Sequence, residues 1–261
     1  MTEKIVHLEN ILRLHAPMLV AYSGGVDSAC LLAVARQTLG GAATGVIADS
    51  PSLPRQALAD ALRVAEGFGA TVEVVATEEF DNAEYLLNPP NRCYFCKSEL
   101  FLRMDVLARE RGFAAIAYGE NADDPAHLRP GSQAAREFSV IAPLRMAGLT
   151  KADVRVLSRE LGLPTADAPA QPCLSSRIPH GTPVTREALA LVERGEALVR
   201  SLGFRVFRVR YLAGIPSGAR LQVALGEMIL LAERRDEIEG ALRDAGFGFV
   251  EIDPDGYRGA T

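Results

Sequence analysis

Met18-Leu19-Val20-Ala21-Tyr22-Ser23-Gly24-Gly25-Val26-Asp27-Ser28 is an apolar strand running into a Ser-Gly-Gly-Val-Asp-Ser turn, and the helix that follows stops at Gly40-Gly41. The order strand, glycine turn, helix makes an anion cradle. Adjacent glycines bring backbone close to a ligand with no Cβ in the way, and the helix points its N-terminal N–H groups and positive dipole end at the same spot. Ser23, Gly24, Gly25, Asp27 and Ser28 line this turn, which has room for a pyrophosphate. It lacks the Gly-Lys-[Ser/Thr] ending of a Walker loop and the Gly-x-Gly-x-x-Gly spacing of a dinucleotide turn.

Outward from the turn, strands and helices alternate. Thr44 to Ala48 and Thr71 to Ala76 read as strands, Pro54 to Phe68 as a helix ended by Gly69, and Ala114 to Tyr118 as a strand ended by Gly119. The polar segment Glu78 to Lys97 interrupts the pattern before a helix from Ser98 to Arg111, and Glu120 to Ser132 reads as a second functional loop. Thr150 and Asp153 open the helix Lys151 to Leu161 as a capping-box variant, with Gly162 and Pro164 ending it. This alternation predicts an α/β fold, a parallel doubly wound sheet that binds ligands beyond the carboxyl ends of its strands.

Residues 164 to 183 contain five prolines and a cysteine, the pattern of a long functional loop, and a domain boundary is placed here, giving domains 1–165 and 166–261. The remainder reads as a smaller C-terminal α+β domain: helix Arg186 to Leu202, strands Arg205 to Tyr211 and Ala219 to Leu225, helix Met228 to Ala245 and strand Gly248 to Ile252. Period-two alternation sends Phe207, Val209 and Tyr211 to one face and Val206, Arg208 and Arg210 to the other. Two guanidiniums on one face suit phosphate or carboxylate recognition, and equally an ordinary solvated face.

The chain has 261 residues, a net charge of −5 and four cysteines. That charge disfavours nucleic acid as a partner, and no apolar run is long enough for a membrane span, so a cytoplasmic protein is expected. Four cysteines are too few for a disulfide framework in a chain of this length. Cys30 falls on the apolar helix behind the turn and reads as core. Cys93 and Cys96 form a Cys-x-x-Cys beside Arg92 and Lys97, which fits half a zinc site, a redox pair or part of an iron-sulfur site. Cys173 lies among Pro172, Ser175, Ser176 and Arg177, polar company that favours a reactive thiolate. With Cys93 and Cys96 it offers three thiols for a [4Fe-4S] cluster with one open iron.

The turn Ser23 to Ser28 resembles the PP-loop of enzymes that split ATP into AMP and pyrophosphate. Taken with Asn88-Pro89-Pro90-Asn91-Arg92-Cys93-Tyr94-Phe95-Cys96-Lys97, Gly119-Glu120-Asn121-Ala122-Asp123-Asp124, Arg129-Pro130-Gly131 and Pro172-Cys173-Leu174-Ser175-Ser176-Arg177, nearly the whole chain resembles the LarE family. These are ATP-dependent sulfur transferases of nickel-pincer nucleotide biosynthesis. Departures are Glu120, where the family pattern has Thr, and a tail Gly256-Tyr257-Arg258-Gly259 without a Ser before its last Gly.

The resemblance implies an adenine nucleotide alpha hydrolase-like first domain. Magnesium-ATP there adenylates a carboxylate of a pyridinium dicarboxylate mononucleotide, and sulfur then converts it to a thiocarboxylate. In one version Cys173 supplies its own sulfur and becomes dehydroalanine. In the other, Cys93, Cys96 and Cys173 hold a [4Fe-4S] cluster that carries a replaceable sulfide, the version favoured here. By position, Cys173, Tyr94, Ser176, Arg177, Glu196, Arg208 and Glu227 are the catalytic candidates, although Glu196 and Glu227 also read as solvated helix charges. Gly119, Asn121, Asp123 and Arg129 are candidates to close on ATP, and Asp27 is a hard oxygen ligand for magnesium. The family also implies a homo-oligomer and transient partner enzymes of the same cofactor pathway. The rival readings are a tRNA thiolase, an amide ligase of the NAD synthetase type and a non-catalytic ATP-binding module.

Overall fold

A computed structural model describes residues 1–125, 130–169 and 172–257. The chain forms two compact units, one of residues 1–82 and 91–171, the other of Ala83–Pro90 and Pro172 onward.

In the first unit, helix α1 (Thr2–Leu14) leads to strand β1 (Met18–Ala21), helix α2 (Val26–Leu39), strand β2 (Ala43–Asp49), helix α3 (Arg55–Gly67) and strand β3 (Val72–Ala76). The chain then leaves for helix α4 (Ala83–Leu86) of the second unit and returns with helix α5 (Arg92–Arg111) and strand β4 (Ala115–Tyr118). Helices α6 (Pro130–Glu137), α7 (Pro143–Met146) and α8 (Lys151–Glu160) complete it. The sheet is parallel throughout, in the order β3-β2-β1-β4.

Side-chain alternation along β1 builds a layer on each face. Met18, Val20 and Tyr22 join the core made by α1, α2 and α8, whereas Leu19 and Ala21 join Phe101, Met104 and Ala108 of α5 and Ala134 and Ala135 of α6. The sheet is therefore covered on both faces, as the α/β reading expects. Cys30 is fully buried in the first of these cores.

The strand order fixes where a ligand goes. From β1 the chain crosses to β2 on one side, while β4 pairs with β1 on the other, so the loops leaving β1 and β4 diverge at a topological switch point. The Ser23–Ser28 turn follows β1 and Gly119 follows β4.

Two elements differ from the sequence expectation. Helix α5 begins at Arg92 instead of Ser98: Asn91 is its N-cap, Tyr94 N–H donates to Asn91 O at 2.8 Å, and no proline follows Pro90 to stop a helix there. Both Cys93 and Cys96 thus lie on a helix. The loop after Gly119 also ends sooner than Ser132, since α6 already includes Pro130. The capping box at Thr150 and Asp153 forms as read, with Asp153 N–H on Thr150 Oγ1 at 3.1 Å and Thr150 N–H on Asp153 Oδ2 at 3.0 Å.

The second unit adds helix α9 (Arg186–Ser201), strands β5 (Phe207–Leu212) and β6 (Gly218–Val223), helices α10 (Met228–Glu233) and α11 (Arg235–Asp244), and strand β7 (Phe249–Ile252). β6 pairs antiparallel with β5 and parallel with β7. The single helix read from Met228 to Ala245 is broken at Arg234, whose guanidinium turns back to cap Leu202 O. Phe207 and Val209 are buried as the alternation requires, and Arg208 and Arg210 take the opposite face.

Candidate active site

In the first unit the turn closes on itself through its two hydroxyls. Ser28 Oγ accepts Ser23 N–H at 3.1 Å, lies 3.1 Å from Ser23 Oγ, and donates to Gly25 O at 3.1 Å. Ala29 N–H makes the first helical bond, to Gly25 O, so the N–H groups of Val26, Asp27 and Ser28 form the open N-terminal turn. Gly24 has φ +74°, and a Cβ there would stand 2.7 Å from Ala61 Cβ. Gly119 passes so near α2 that its Cβ would be 2.8 Å from Ser28 N. These contacts make glycine the residue both places require.

The cleft over this turn, roughly 130 Å³, is lined by Tyr22, Ser23, Gly25, Asp27, Ser28, Lys97, Tyr118 and Gly119. It is smaller than the ~300 Å³ or more typical of pockets for whole small molecules, so it suits the phosphate end of a nucleotide. Lys97, read from the sequence only as a cation beside the Cys-x-x-Cys, brings its ammonium into the wall, 5.6 Å and 5.2 Å from the ring centroids of Phe101 and Tyr118. Asp27 faces the cleft with both oxygens engaged, Oδ1 by Asn121 Nδ2 at 3.2 Å and Oδ2 by Lys151 Nζ at 2.6 Å. A cation already stands against this carboxylate. Asp27 is the carboxylate of the cleft lining that could face a hard divalent ion carried in with phosphate.

The loop after β4 is braced from behind. Asp123 N–H donates to Asn121 Oδ1 at 2.9 Å, Asp123 Oδ2 accepts Lys151 N–H at 2.7 Å, and Asn121 N–H reaches Asp124 Oδ2. Glu120 is buried and accepts Ser132 Oγ and Arg145 Nη2, each at 3.1 Å. The departure at Glu120 thus builds an internal ion pair in place of a small hydroxyl. Arg129 lies outside the described residues.

On the first turn of α5, Cys93 is exposed and Cys96 half-buried, three positions apart on one helix face. The helix dipole favours negative charge at this end. Among the described residues neither unit gathers three His, Cys, Asp or Glu side chains able to hold a metal. Cys173 belongs to the other unit. Tyr94 donates its hydroxyl to Glu137 Oε2 at 2.6 Å, which pushes the phenol up and the carboxyl down from their ordinary values.

In the second unit Cys173, half-buried, caps a tight 3₁₀ turn, Leu174–Arg177. Its carbonyl accepts Ser176 N–H at 3.0 Å, Ser176 Oγ at 2.8 Å and Arg177 Nη1 at 3.0 Å. Arg177 is 4% exposed and forms a two-pronged pair with Glu196, Nε to Oε1 at 2.8 Å and Nη2 to Oε2 at 3.1 Å; Nη1 also reaches Pro172 O. Glu196 further accepts Val209 N–H at 3.3 Å. Arg177 therefore clamps the backbone on both sides of the thiol. Arg210 adds a bond to Ser176 O at 3.2 Å, and Arg208 stacks over Tyr257 at 4.6 Å. Burial, with Arg177 nearby, pulls Arg208 below the usual guanidinium range. Glu227 is not part of this cluster: its carboxylate accepts the N–H groups of Arg205 and Val206 at the start of β5.

Two residues without an assigned role support the cysteine turn. Tyr85 OH lies 2.9 Å from Ser175 Oγ. Asn88, fully buried with φ +54°, donates to Ile178 O, Pro179 O and Thr182 O. For Asn88 the signal was an Asn-Pro-Pro stretch read only as part of a motif; Tyr85 fell in the polar segment that interrupts the strand and helix pattern. For Glu196 the local signal is a glutamate in phase with Val192 and Val199 on the buried stripe of α9.

No family model matches the chain. It is 41% identical to an uncharacterized protein of Synechocystis over 92% of this chain and 89% of that protein. It is 32% identical to the pyridinium-3,5-bisthiocarboxylic acid mononucleotide synthase of Lactiplantibacillus plantarum over 92% of this chain and 86% of that enzyme. A glutamine-hydrolyzing GMP synthase of Thermomicrobium roseum matches at 32% identity over 70% of this chain and 39% of its own length.

Proposed function

The chain belongs to the LarE family of pyridinium-3,5-bisthiocarboxylic acid mononucleotide synthases, and on that premise we propose that it is an ATP-dependent sulfur transferase acting on a pyridinium dicarboxylate mononucleotide. The β- and γ-phosphates of ATP lie against the N-terminal turn of α2, with Ser23, Ser28 and the glycine backbones as donors and Asp27 toward magnesium. The substrate carboxylate attacks the α-phosphorus, the bond to the bridging oxygen breaks, and pyrophosphate leaves. The resulting acyl-adenylate is an acceptor that a sulfur nucleophile attacks, expelling AMP.

The observation that carries this reading is the clamp on Cys173. A buried ion pair, Arg177–Glu196, is spent on fixing the backbone carbonyls that flank one half-buried thiol. Structural cysteines are held by apolar packing, as Cys30 is; this one is held by charge-assisted hydrogen bonds in a polar loop, the arrangement of a group aimed at chemistry. Cys93 and Cys96, with Cys173, are the residues that would hold a [4Fe-4S] cluster, which when bound supplies an open iron position for a replaceable sulfide. If no cluster intervenes, Cys173 Sγ attacks the acyl carbon to form a thioester. Loss of the Cα proton and cleavage of Cβ–Sγ then leave a thiocarboxylate and dehydroalanine. By chain position we further propose the division 1–165 and 166–261, although Ala83–Pro90 belongs to the second compact unit and the first runs to residue 171, together with a homo-oligomer and transient partner enzymes of the same pathway.

Pyrophosphate release tests the activating half. It is expected to depend on the pyridinium dicarboxylate and to survive in Cys173→Ala, while thiocarboxylate formation stops in that variant. Thiocarboxylate at the wild-type rate from Cys173→Ala would overturn the assignment, and amide formation from ammonia instead would support the ligase reading.

A further inference from the structure

The polar face of the second unit's sheet gives each of its arginines a different partner. Arg220 on β6 pairs with Glu251 on β7, both exposed, an ordinary surface ion pair. Arg208 lies over the Tyr257 ring. Arg210 Nε donates to Gln222 Oε1 at 2.5 Å, a diagonal contact, since the register sets Gln222 opposite Arg208. Gln222 Nε2 in turn donates at 2.6 Å to Oδ2 of Asp253, the residue after β7. Arg210, Gln222 and Asp253 are all half-buried.

Chemistry fixes the direction of this chain of bonds. A carboxylate only accepts and a guanidinium only donates, so the one amide orientation that satisfies both puts Nε2 toward Asp253 and Oε1 toward Arg210. Asp253 is itself anchored, its N–H on Leu221 O at 2.9 Å and its Oδ1 accepting Asp255 N–H at 3.0 Å. The Gln222 bond, ahead of every other contact, holds the Asp253 carboxyl below the usual carboxylate range. At the far end Arg210 Nη1 reaches Ser176 O at 3.2 Å, and Ser176 gives both its N–H and its hydroxyl to Cys173 O. Hydrogen bonds thus run unbroken from the end of β7 to the residue that carries the thiol. A face of independently solvated side chains needs no amide bridging two charges.

Resting on the reading that Cys173 is the reactive thiol, we propose that Gln222 and Asp253 are positioning residues for sulfur transfer. They aim Arg210 at the Ser176 carbonyl and so set the angle of the Cys173 turn. Arg177, backed by Glu196 of α9, clamps the same turn, and the Gln222 relay braces it from the polar face of the sheet. A nucleophile that must meet an acyl carbon in line loses rate steeply when it is misplaced.

Single-turnover thiocarboxylate formation and iodoacetamide labelling of the Cys173 peptide are compared in wild type, Q222L, Q222E and the double variant Q222E/D253N. Q222L breaks both bonds of the amide. It is expected to slow sulfur transfer about tenfold to hundredfold, while ATP affinity and pyrophosphate release stay within about twofold of wild type. Cys173 labelling should quicken about twofold to tenfold, the shift that one hydrogen bond governs. Q222E sets two carboxylates face to face and should lose about as much. In Q222E/D253N the new carboxylate accepts from Arg210 on one side and from the introduced amide on the other. Both readouts should then return to within about threefold of wild type, a rescue that a loss of general stability would not show. Wild-type transfer and labelling rates in folded Q222L, or a double variant no better than Q222E, overturn the inference. Should Q222L fail to fold, Q222M gives the same comparison. A wild type that forms no thiocarboxylate overturns the reading of Cys173 and this role with it; wild-type transfer with an indifferent Gln222 overturns the inference alone.

Discussion

Removing Glu196 should destabilise the second unit and release the cysteine turn at once. The Arg177–Glu196 pair is 4% and 7% exposed, two-pronged, and its Oε1 also accepts a backbone N–H. Taking one partner from a buried pair costs about 3–5 kcal/mol because the other charge is left uncompensated. Arg177 keeps its bonds to Pro172 O, Cys173 O and Ser176 Oγ, so Glu196→Ala should fall near the lower figure. At about 4–8 °C per kcal/mol for a unit of roughly 100 residues, ~3 kcal/mol lowers its melting temperature by roughly 12–24 °C. Glu196→Gln preserves shape and one acceptor and should lose about half as much. Replacing both residues by Met removes the stranded charge and should recover most of the stability while freeing the backbone around Cys173. The assay is thermal unfolding beside iodoacetamide labelling of Cys173 in all three variants. Labelling should quicken in each, stability recovered or not. Melting within about 1 °C of wild type for Glu196→Ala, or unchanged labelling in the double Met variant, refutes the clamp.

Gly119→Ala places a methyl group against the backbone of Ser28, an overpacking that should cost about 1–3 kcal/mol and weaken nucleotide binding in step, read by unfolding and ATP titration. Burial raises the Cys30 thiol to about 12. At pH 8 its thiolate fraction is then about a thousandfold below that of an ordinary thiol, so mass spectrometry of the labelled native protein should find Cys93 modified and Cys30 intact. Asp153, bonded by Lys4 and the Thr150 cap, is held down at about 2. Its folded pKa lies below the unfolded ~3.9, so its stabilisation is complete above that value and vanishes as pH falls toward 2. Asp153→Asn should therefore lose about 1 kcal/mol at pH 7 and nothing near pH 2 in chemical unfolding.

The signals that were legible in the sequence are local ones. The Val20–Ser28 stretch announces strand, turn and helix because two glycines, an acidic first helical turn and an apolar run act within a few residues, and the Thr150–Asp153 cap is equally self-contained. The helix start at Arg92 was hidden by Pro89-Pro90 and the polar residues around the thiols, although nothing after Pro90 opposes a helix. The departure of Ala83–Pro90 to the second unit has no local mark, since the Asn88 side-chain amide reaches carbonyls about 90 positions later. The break at Arg234 likewise depends on a distant acceptor, Leu202 O. In the cradle, Asp27 was readable but its partner Lys151 was not, because no helical or strand spacing links residues 124 positions apart. Arg177 was read as a cation favouring the Cys173 thiolate; the structure shows its guanidinium engaged by Glu196 and the turn's own oxygens.

The most direct measurement of the central claim is a single turnover with ATP, Mg2+ and the pyridinium dicarboxylate mononucleotide. AMP, pyrophosphate and thiocarboxylate are quantified together, and the mass of the peptide containing position 173 is taken before and after. The account predicts equal amounts of the three products from wild type, with residue 173 either unchanged in an iron-loaded protein or lighter by the mass of hydrogen sulfide in an iron-free one. AMP release without any thiocarboxylate in both the iron-loaded and the iron-free protein, or thiocarboxylate from Cys173→Ala in the same yield, would contradict it.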